Sequence, residues 1–323
     1  MLTYCLQTEA AKKGTAYMVV WMYVLREFED ALDDCQDGCI NCNDDPVHAW
    51  DEGVAFYTGS AHGTMAGTTD PGWLIYSLAN KRCANFKTCG VSGDLATGNA
   101  KVNFDLFALF DTGRTQLENG QCAAARITKN KVAQLMAVPA LQGTLRYAYI
   151  TGPQAVQTPK AIGEGAVFAA SVLPIVHDCS PADAQIIYNN MQVNSATTDW
   201  MAVKMAFERN YECMGITCKD VGGYWDDAIG DYFSGAAPCA DEPLSSIAGY
   251  APGSQVTDHV SYTMSLLTCR RRRRKLTLVS SCRTRLIWIK QRLRFSWDSR
   301  QRRVSQPPRR STRRVPTASL MHE

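Results

Sequence analysis

Several signatures that would decide the function of a 323-residue chain are missing from this one. It has no Gly-rich phosphate loop, no nucleophile elbow and no His-Glu-x-x-His segment, so phosphoryl transfer, α/β-hydrolase chemistry and zinc-dependent proteolysis lose their usual sequence marks. No apolar run approaches the roughly 20 residues that cross a bilayer; the best, Ala16 to Leu25, is about half that length. Met1 to Lys13 lacks the basic start and long apolar stretch of a secretory signal. Sustained period-2 alternation bounded by hairpin turns is also missing, so strands should be few. Histidine numbers only five, with His62 and His259 in Gly, Ser and Thr-rich stretches and His177 just past Pro174, positions expected at the surface.

Charge is present but unevenly placed. From Arg270 onward the chain holds 18 basic and 2 acidic residues, which leaves residues 1–269 with 16 basic and 29 acidic, a net of −13. Such a body repels nucleic acid and concentrates cations, so metal ions or basic partners are its expected ligands. The segment 270–323, with 16 Arg and little periodicity, is expected to be a disordered tail, an out-of-frame or intron-derived addition rather than a nucleic-acid module.

Thirteen cysteines, clustered as Cys35/Cys39/Cys42, Cys83/Cys89 and Cys213/Cys218 with singletons between, point to an oxidising compartment and disulfides. Cys83 and Cys89, with five residues of loop between them, form a candidate local bridge; the remaining connectivity stays open. Cysteines and N-terminus disagree about location. The cysteines carry more weight, because truncation removes a leader without altering the body.

The apolar spacing is helical through most of the body. Residues 16–34 read as an amphipathic helix with Tyr17, Trp21, Val24, Leu25, Phe28 and Leu32 on one face and Glu27, Glu29, Asp30, Asp33 and Asp34 mainly elsewhere. Further helices are expected over 47–57 with a stop at Gly59, over 104–110, over 122–149 with a kink at Pro139, and over 161–173 closed by Pro174. An internal repeat is also visible. Trp21, Met22, Val24, Phe28, Glu29 and Cys39 recur 179 residues on as Trp200, Met201, Val203, Phe207, Glu208 and Cys218. Trp50, Asp51 and Tyr57 recur 175 residues on as Trp225, Asp226 and Tyr232. The expected fold is therefore all-α: two helical repeats packed together, 1–155 and 156–269, with long disulfide-rich loops, followed by the tail 270–323.

HAWDEGVAFYTGS at His48–Ser60, LANKRCANFKTCG at Leu78–Gly90, AVPALQGTLRYAY at Ala137–Tyr149 and MAFERNYECMGITCKDVGGYWD at Met205–Asp226 make the chain resemble the low-iron-inducible periplasmic proteins of algae, also described as iron-assimilation or high-carbon-dioxide-inducible periplasmic proteins. The resemblance covers roughly residues 16–260. It implies a secreted or periplasmic protein, its leader lost by truncation, that assists iron uptake without a catalytic reaction, with iron as ligand and a membrane iron transporter or reductase as partner.

Hard oxygen donors suit ferric iron, and helices facing one another can converge several of them on one ion. The candidate ligands are Glu29, His48, Asp51, Glu52 and Tyr57, with Glu208, Asp226, Asp227 and Tyr232 from the second half. The plainer alternative makes Trp50 and Trp225 core anchors and the acids after them helix-terminus charges. Cys35-x3-Cys39-x2-Cys42 also matches the spacing that holds a four-iron cluster in radical enzymes, which gives a metal- or iron–sulfur-dependent enzyme as runner-up. An acidic helix before that loop, rather than a strand, argues against it. A purely structural cell-surface protein is the third class.

Overall fold

The computed structural model describes residues 2–38, 45–59 and 72–240, with side chains from Leu6 onward. Those residues belong to one compact unit, Met1–Val256. The described residues build twelve α-helices, one π-helical stretch and a single two-stranded hairpin, so the all-α expectation holds. The tail 270–323 lies outside the described residues, as do Cys39, Cys42, His62 and His259.

Helix α1 (Leu2–Lys13) runs through the π-helical stretch Gly14–Val19 into α2 (Val20–Gln36), whose buried stripe is Val24, Glu27, Phe28, Ala31, Leu32 and Cys35. Tyr17 stacks on Phe168 rather than extending that stripe. Helix α3 (Pro46–Thr58) starts as its sequence dictates. The Asp45 carboxylate accepts a hydrogen bond from the His48 amide at 2.8 Å, Pro46 occupies the first turn, and Gly59 closes the helix at φ 69°. Helices α4 (Leu74–Phe86), α5 (Lys101–Glu118), α6 (Cys122–Met136) and α7 (Val138–Thr151) follow, then α8 (Pro159–Cys179) and α9 (Pro181–Met191). Helix α10 (Trp200–Glu208) and the short α11 (Tyr211–Met214) and α12 (Cys218–Val221) lead to β1 (Trp225–Asp226) and β2 (Asp231–Tyr232).

Packing pairs α2 with α3, α5 with α6, α7 with α8, and α8 with both α1 and α9. The core holds Trp50, Tyr57, Phe28, Phe86, Phe168 and Phe207 at under 2 % exposure. Helix α7, buried nearly all round, and α8 pack along each other across the expected 155/156 boundary.

Four expectations are corrected. Pro139 does not kink one long helix. It sits in the first turn of α7, and the chain breaks at Ala137 because proline favours a helix start, where no amide partner is lost. Pro174 does not end α8, which continues to Cys179, since Val172 and Val176 on either side are buried and tertiary packing outweighs one lost backbone bond. Helix α8 is by length and composition the one described helix long and apolar enough to cross a membrane, where no such stretch was expected; nearly half of it is buried, against α1, α7 and α9.

The fourth correction concerns the repeat. Trp21 and Trp200 both lie in helices, with Val24/Val203 and Phe28/Phe207 fully buried and Met22/Met201 exposed in each. Trp50, however, is a buried helical residue, whereas Trp225 is half-buried in β1, edge-on to Tyr232 across the hairpin at 5.1 Å. The second copy has only six residues between Gly222-Gly223 and Gly230, with Gly222 and Gly230 at positive φ, too short and too punctuated for a helix. The Asp226 carboxylate accepts from the Ala228 amide at 3.0 Å and turns the chain instead.

Eight described cysteines form four disulfides: Cys35–Cys122, Cys83–Cys89, Cys179–Cys213 and Cys218–Cys239. The Cys83–Cys89 bridge is the local one read from the sequence, and it ties the last turn of α4 to the loop that follows. Cys35, Cys213 and Cys218 are bridged too, each to a partner outside its own sequence cluster.

Candidate functional site

The donors expected to bind iron concentrate on α2 and α3, which lie against each other because Phe28 meets Trp50 with ring centroids 4.3 Å apart. Gly53 permits this approach, since a Cβ there would come within 2.5 Å of the Phe28 ring. On the outer side of that contact two stripes meet. Tyr23, Glu27 and Asp30 lie at i, i+4 and i+7 on α2; His48, Glu52 and Phe56 lie at i, i+4 and i+8 on α3. Tyr23 packs edge-on to Phe56 at 4.7 Å.

The electrostatics of the seam are acidic. Glu27 is only 8 % exposed, and burial raises its pKa; the hydrogen bond donated by Tyr23 opposes the rise, while Glu52 and Asp30 reinforce it. The Tyr23 hydroxyl is pushed up to about 12 by burial and then by Glu27, with Glu52 and Asp30 adding to the effect. Asp30 pairs with Arg26. His48 Nε2 lies 3.3 Å from a Glu52 carboxylate oxygen, with both side chains exposed.

The other predicted donors are placed elsewhere. Glu29 is clamped by Lys129 and Arg126 of α6, whose hydrogen bonds and charge outweigh burial and hold its carboxyl below the usual range. Burial raises the pKa of Asp51, although the charges of Arg114 on α5 and of His48 act against this. Tyr57 is fully buried and donates to Asn103 Oδ1 at 2.6 Å, and burial pushes its hydroxyl well above the ordinary range, so no phenolate is offered there. Glu208 pairs with Lys204 one turn earlier. Asp226, Asp227 and Tyr232 lie on or beside the hairpin, where Lys87 Nζ stands 4.1 Å from the Trp225 ring centroid.

His48 and Glu52 therefore come together, and the charge of Glu52 reaches Tyr23 and Glu27 on α2; Asp51 feels His48 and Arg114, whereas Glu29, Tyr57 and the second-half set are engaged elsewhere. Among the described residues, no three His, Cys, Asp or Glu side chains form a group arranged to hold a metal ion. Cys35, the first thiolate of the supposed cluster loop, is instead bridged to Cys122 with Cα atoms 5.7 Å apart; a three-thiolate site would require that bond to open. Sequence reasoning missed Tyr23 and Glu27. Their i, i+4 spacing was visible, but Glu27 reads as one more surface acid until its burial is seen.

No family model matches the chain, and comparisons with curated proteins and with solved structures return no match.

Proposed function

We propose that the chain is a secreted or periplasmic iron-associated binding protein that assists iron assimilation, without catalysis of its own, and passes iron to a membrane transporter or reductase. The observation that carries this reading is the α2–α3 seam, where Glu27 and the Tyr23 hydroxyl feel the charge of Glu52 across the two helices, with His48 beside Glu52, on an acidic body. Oxygen donors with one imidazole suit iron, and the burial of Glu27 concentrates negative charge where a cation would relieve it. The four disulfides support an oxidising compartment. Two-repeat ancestry belongs to the same reading, and the shared burial pattern of the Trp21 and Trp200 helices supports it.

Titration of the full chain with ferric and ferrous iron, in low and high salt, tests the proposal. Saturable binding should survive salt, weaken as pH falls toward the carboxylate range near 4, and drop about tenfold or more in Glu27→Gln and in Glu52→Gln. The metal-free protein offers an independent check. A carboxyl whose pKa is raised by folding stabilises the fold below its unfolded pKa, and that contribution is lost as pH rises through the folded value. Glu27→Gln should therefore raise the melting temperature at neutral pH, with the gain vanishing near pH 4. Iron binding that ignores both substitutions, or that modest salt abolishes, would overturn the site.

A further inference from the structure

Away from the residues of the α2–α3 seam, two half-buried arginines lie where α4 packs against α7. Arg82 of α4 and Arg146 of α7 lie close enough for each to feel the other's charge. The Nε and Nη1 atoms of Arg82 and the Nε of Arg146 are buried with no hydrogen-bond acceptor among the described residues. The carboxylate acting on this pair, Glu164 of α8, is already committed, since it accepts from the Tyr147 hydroxyl and lies 3.5 Å from Lys13 Nζ. Arg146 also sits over the Tyr147 ring, 5.0 Å from its centroid, a contact that leaves its buried Nε without an acceptor.

Such a grouping is costly as it stands. Buried donors without acceptors destabilise a fold, and a like charge held beside them does so further. Burial, and then Arg146, lower the Arg82 pKa to about 10. Among the described residues neither arginine has an ion-pair partner, and Glu164, whose charge reaches Arg82, is shared with Lys13.

We infer that Arg82 and Arg146 form a binding site for a small, doubly charged oxyanion of the phosphate or sulfate kind. Guanidinium forks match the spacing of oxyanion oxygens and bind them through paired, charge-assisted hydrogen bonds. A dianion neutralises two arginines, and its oxygens supply acceptors to the three orphaned nitrogens together. A monoanion would leave one charge uncompensated, and chloride cannot answer two forks at once. The site lies on α4 and α7 and uses none of the residues assigned to iron, so it stands or falls separately from the functional proposal.

The probe is inorganic phosphate, added as the sodium salt to the metal-free full chain with ionic strength held constant by sodium chloride. Equilibrium dialysis with radiolabelled phosphate should show one saturable site, displaced by sulfate and not by chloride, and the melting temperature should rise with phosphate concentration. Losing one charge-assisted fork should weaken phosphate about tenfold to a hundredfold in Arg82→Met and in Arg146→Met. Arg82→Met, which replaces an unpaired buried cation by an apolar chain of similar length, should melt no lower than the parent without phosphate and gain nothing from its addition. Absence of saturable phosphate binding to the parent protein overturns the proposal whether or not the variants fold. So does a phosphate response that chloride reproduces, or one retained in both variants.

Discussion

Replacing Cys35 and Cys122 together by alanine is expected to lower stability by about 4–5 kcal/mol, the largest loss from removing any one of the four disulfides. The bond spans 87 residues and joins α2 to the first residue of α6, so it restricts most of the first half of the unfolded chain. Cys83–Cys89 spans only 6 residues, and its removal should cost about 2–2.5 kcal/mol by the same loop-closure reasoning. The sequence separations of 34 and 21 place Cys179–Cys213 and Cys218–Cys239 between these extremes. Guanidinium denaturation of the four paired variants, each with its other bridges oxidised, measures the order. A local-bridge variant as unstable as the Cys35/Cys122 variant would show that strain or residual structure, rather than loop length, governs this fold.

The second large effect lies at Trp50. Its indole is fully buried against Phe28, and its Nε1 donates to the Phe110 carbonyl at 3.0 Å. Trp50→Ala should cost about 3–5 kcal/mol, because the void would sit between α2, α3 and α5, whose backbones are held by their other contacts. Gly113 on α5 sharpens this test. A Cβ there would fall inside the van der Waals surface of the indole ring. In the parent protein, Gly113→Ala gains about 1 kcal/mol of helix propensity but suffers overpacking of about 1–3 kcal/mol, so it should destabilise. In the Trp50→Ala background the clash is gone and the same substitution should stabilise. A change of sign between the two backgrounds, read from chemical denaturation followed by circular dichroism, is the expected result. Equal effects in both would mean that Gly113 does not serve to admit the ring.

Helix α3 was legible in the sequence to within a residue of each end, its stop at Gly59 fixed by local chemistry that needs no tertiary partner, while the cap by Asp45 ahead of Pro46 came from the structure. The Cys83–Cys89 bridge was legible for the same reason. The sequence was silent where distant packing decides. Pro174 reads as a terminator, yet α8 passes through it because its neighbours are buried against other helices. Trp225 reads as a copy of Trp50, but the glycines around it convert the same residue types into a hairpin. Of the candidate iron donors, His48 and Glu52 were found in company, while Glu29 and Glu208 proved to be lysine partners. An ion pair between α2 and α6 cannot be read from one helix alone. Glu27 shows the converse: its burial, invisible in a list of acids, makes it the carboxylate of greatest interest.

The π-helical stretch Gly14–Val19 joins α1 and α2 into one unbroken rod over 2–36, about 50 Å long at 1.5 Å per residue. Its first part packs against α8 and its last part against α3 and α6. A straight α-helix would carry one angular phase along its whole length, whereas a π turn inserts about one extra residue and so turns everything beyond it by about 100°. The stretch therefore works as a phase shifter, allowing a single rod to present one azimuth to α8 and another to α3. Changing the number of residues between Lys13 and Val20 would leave both faces intact and set them at the wrong angle to each other.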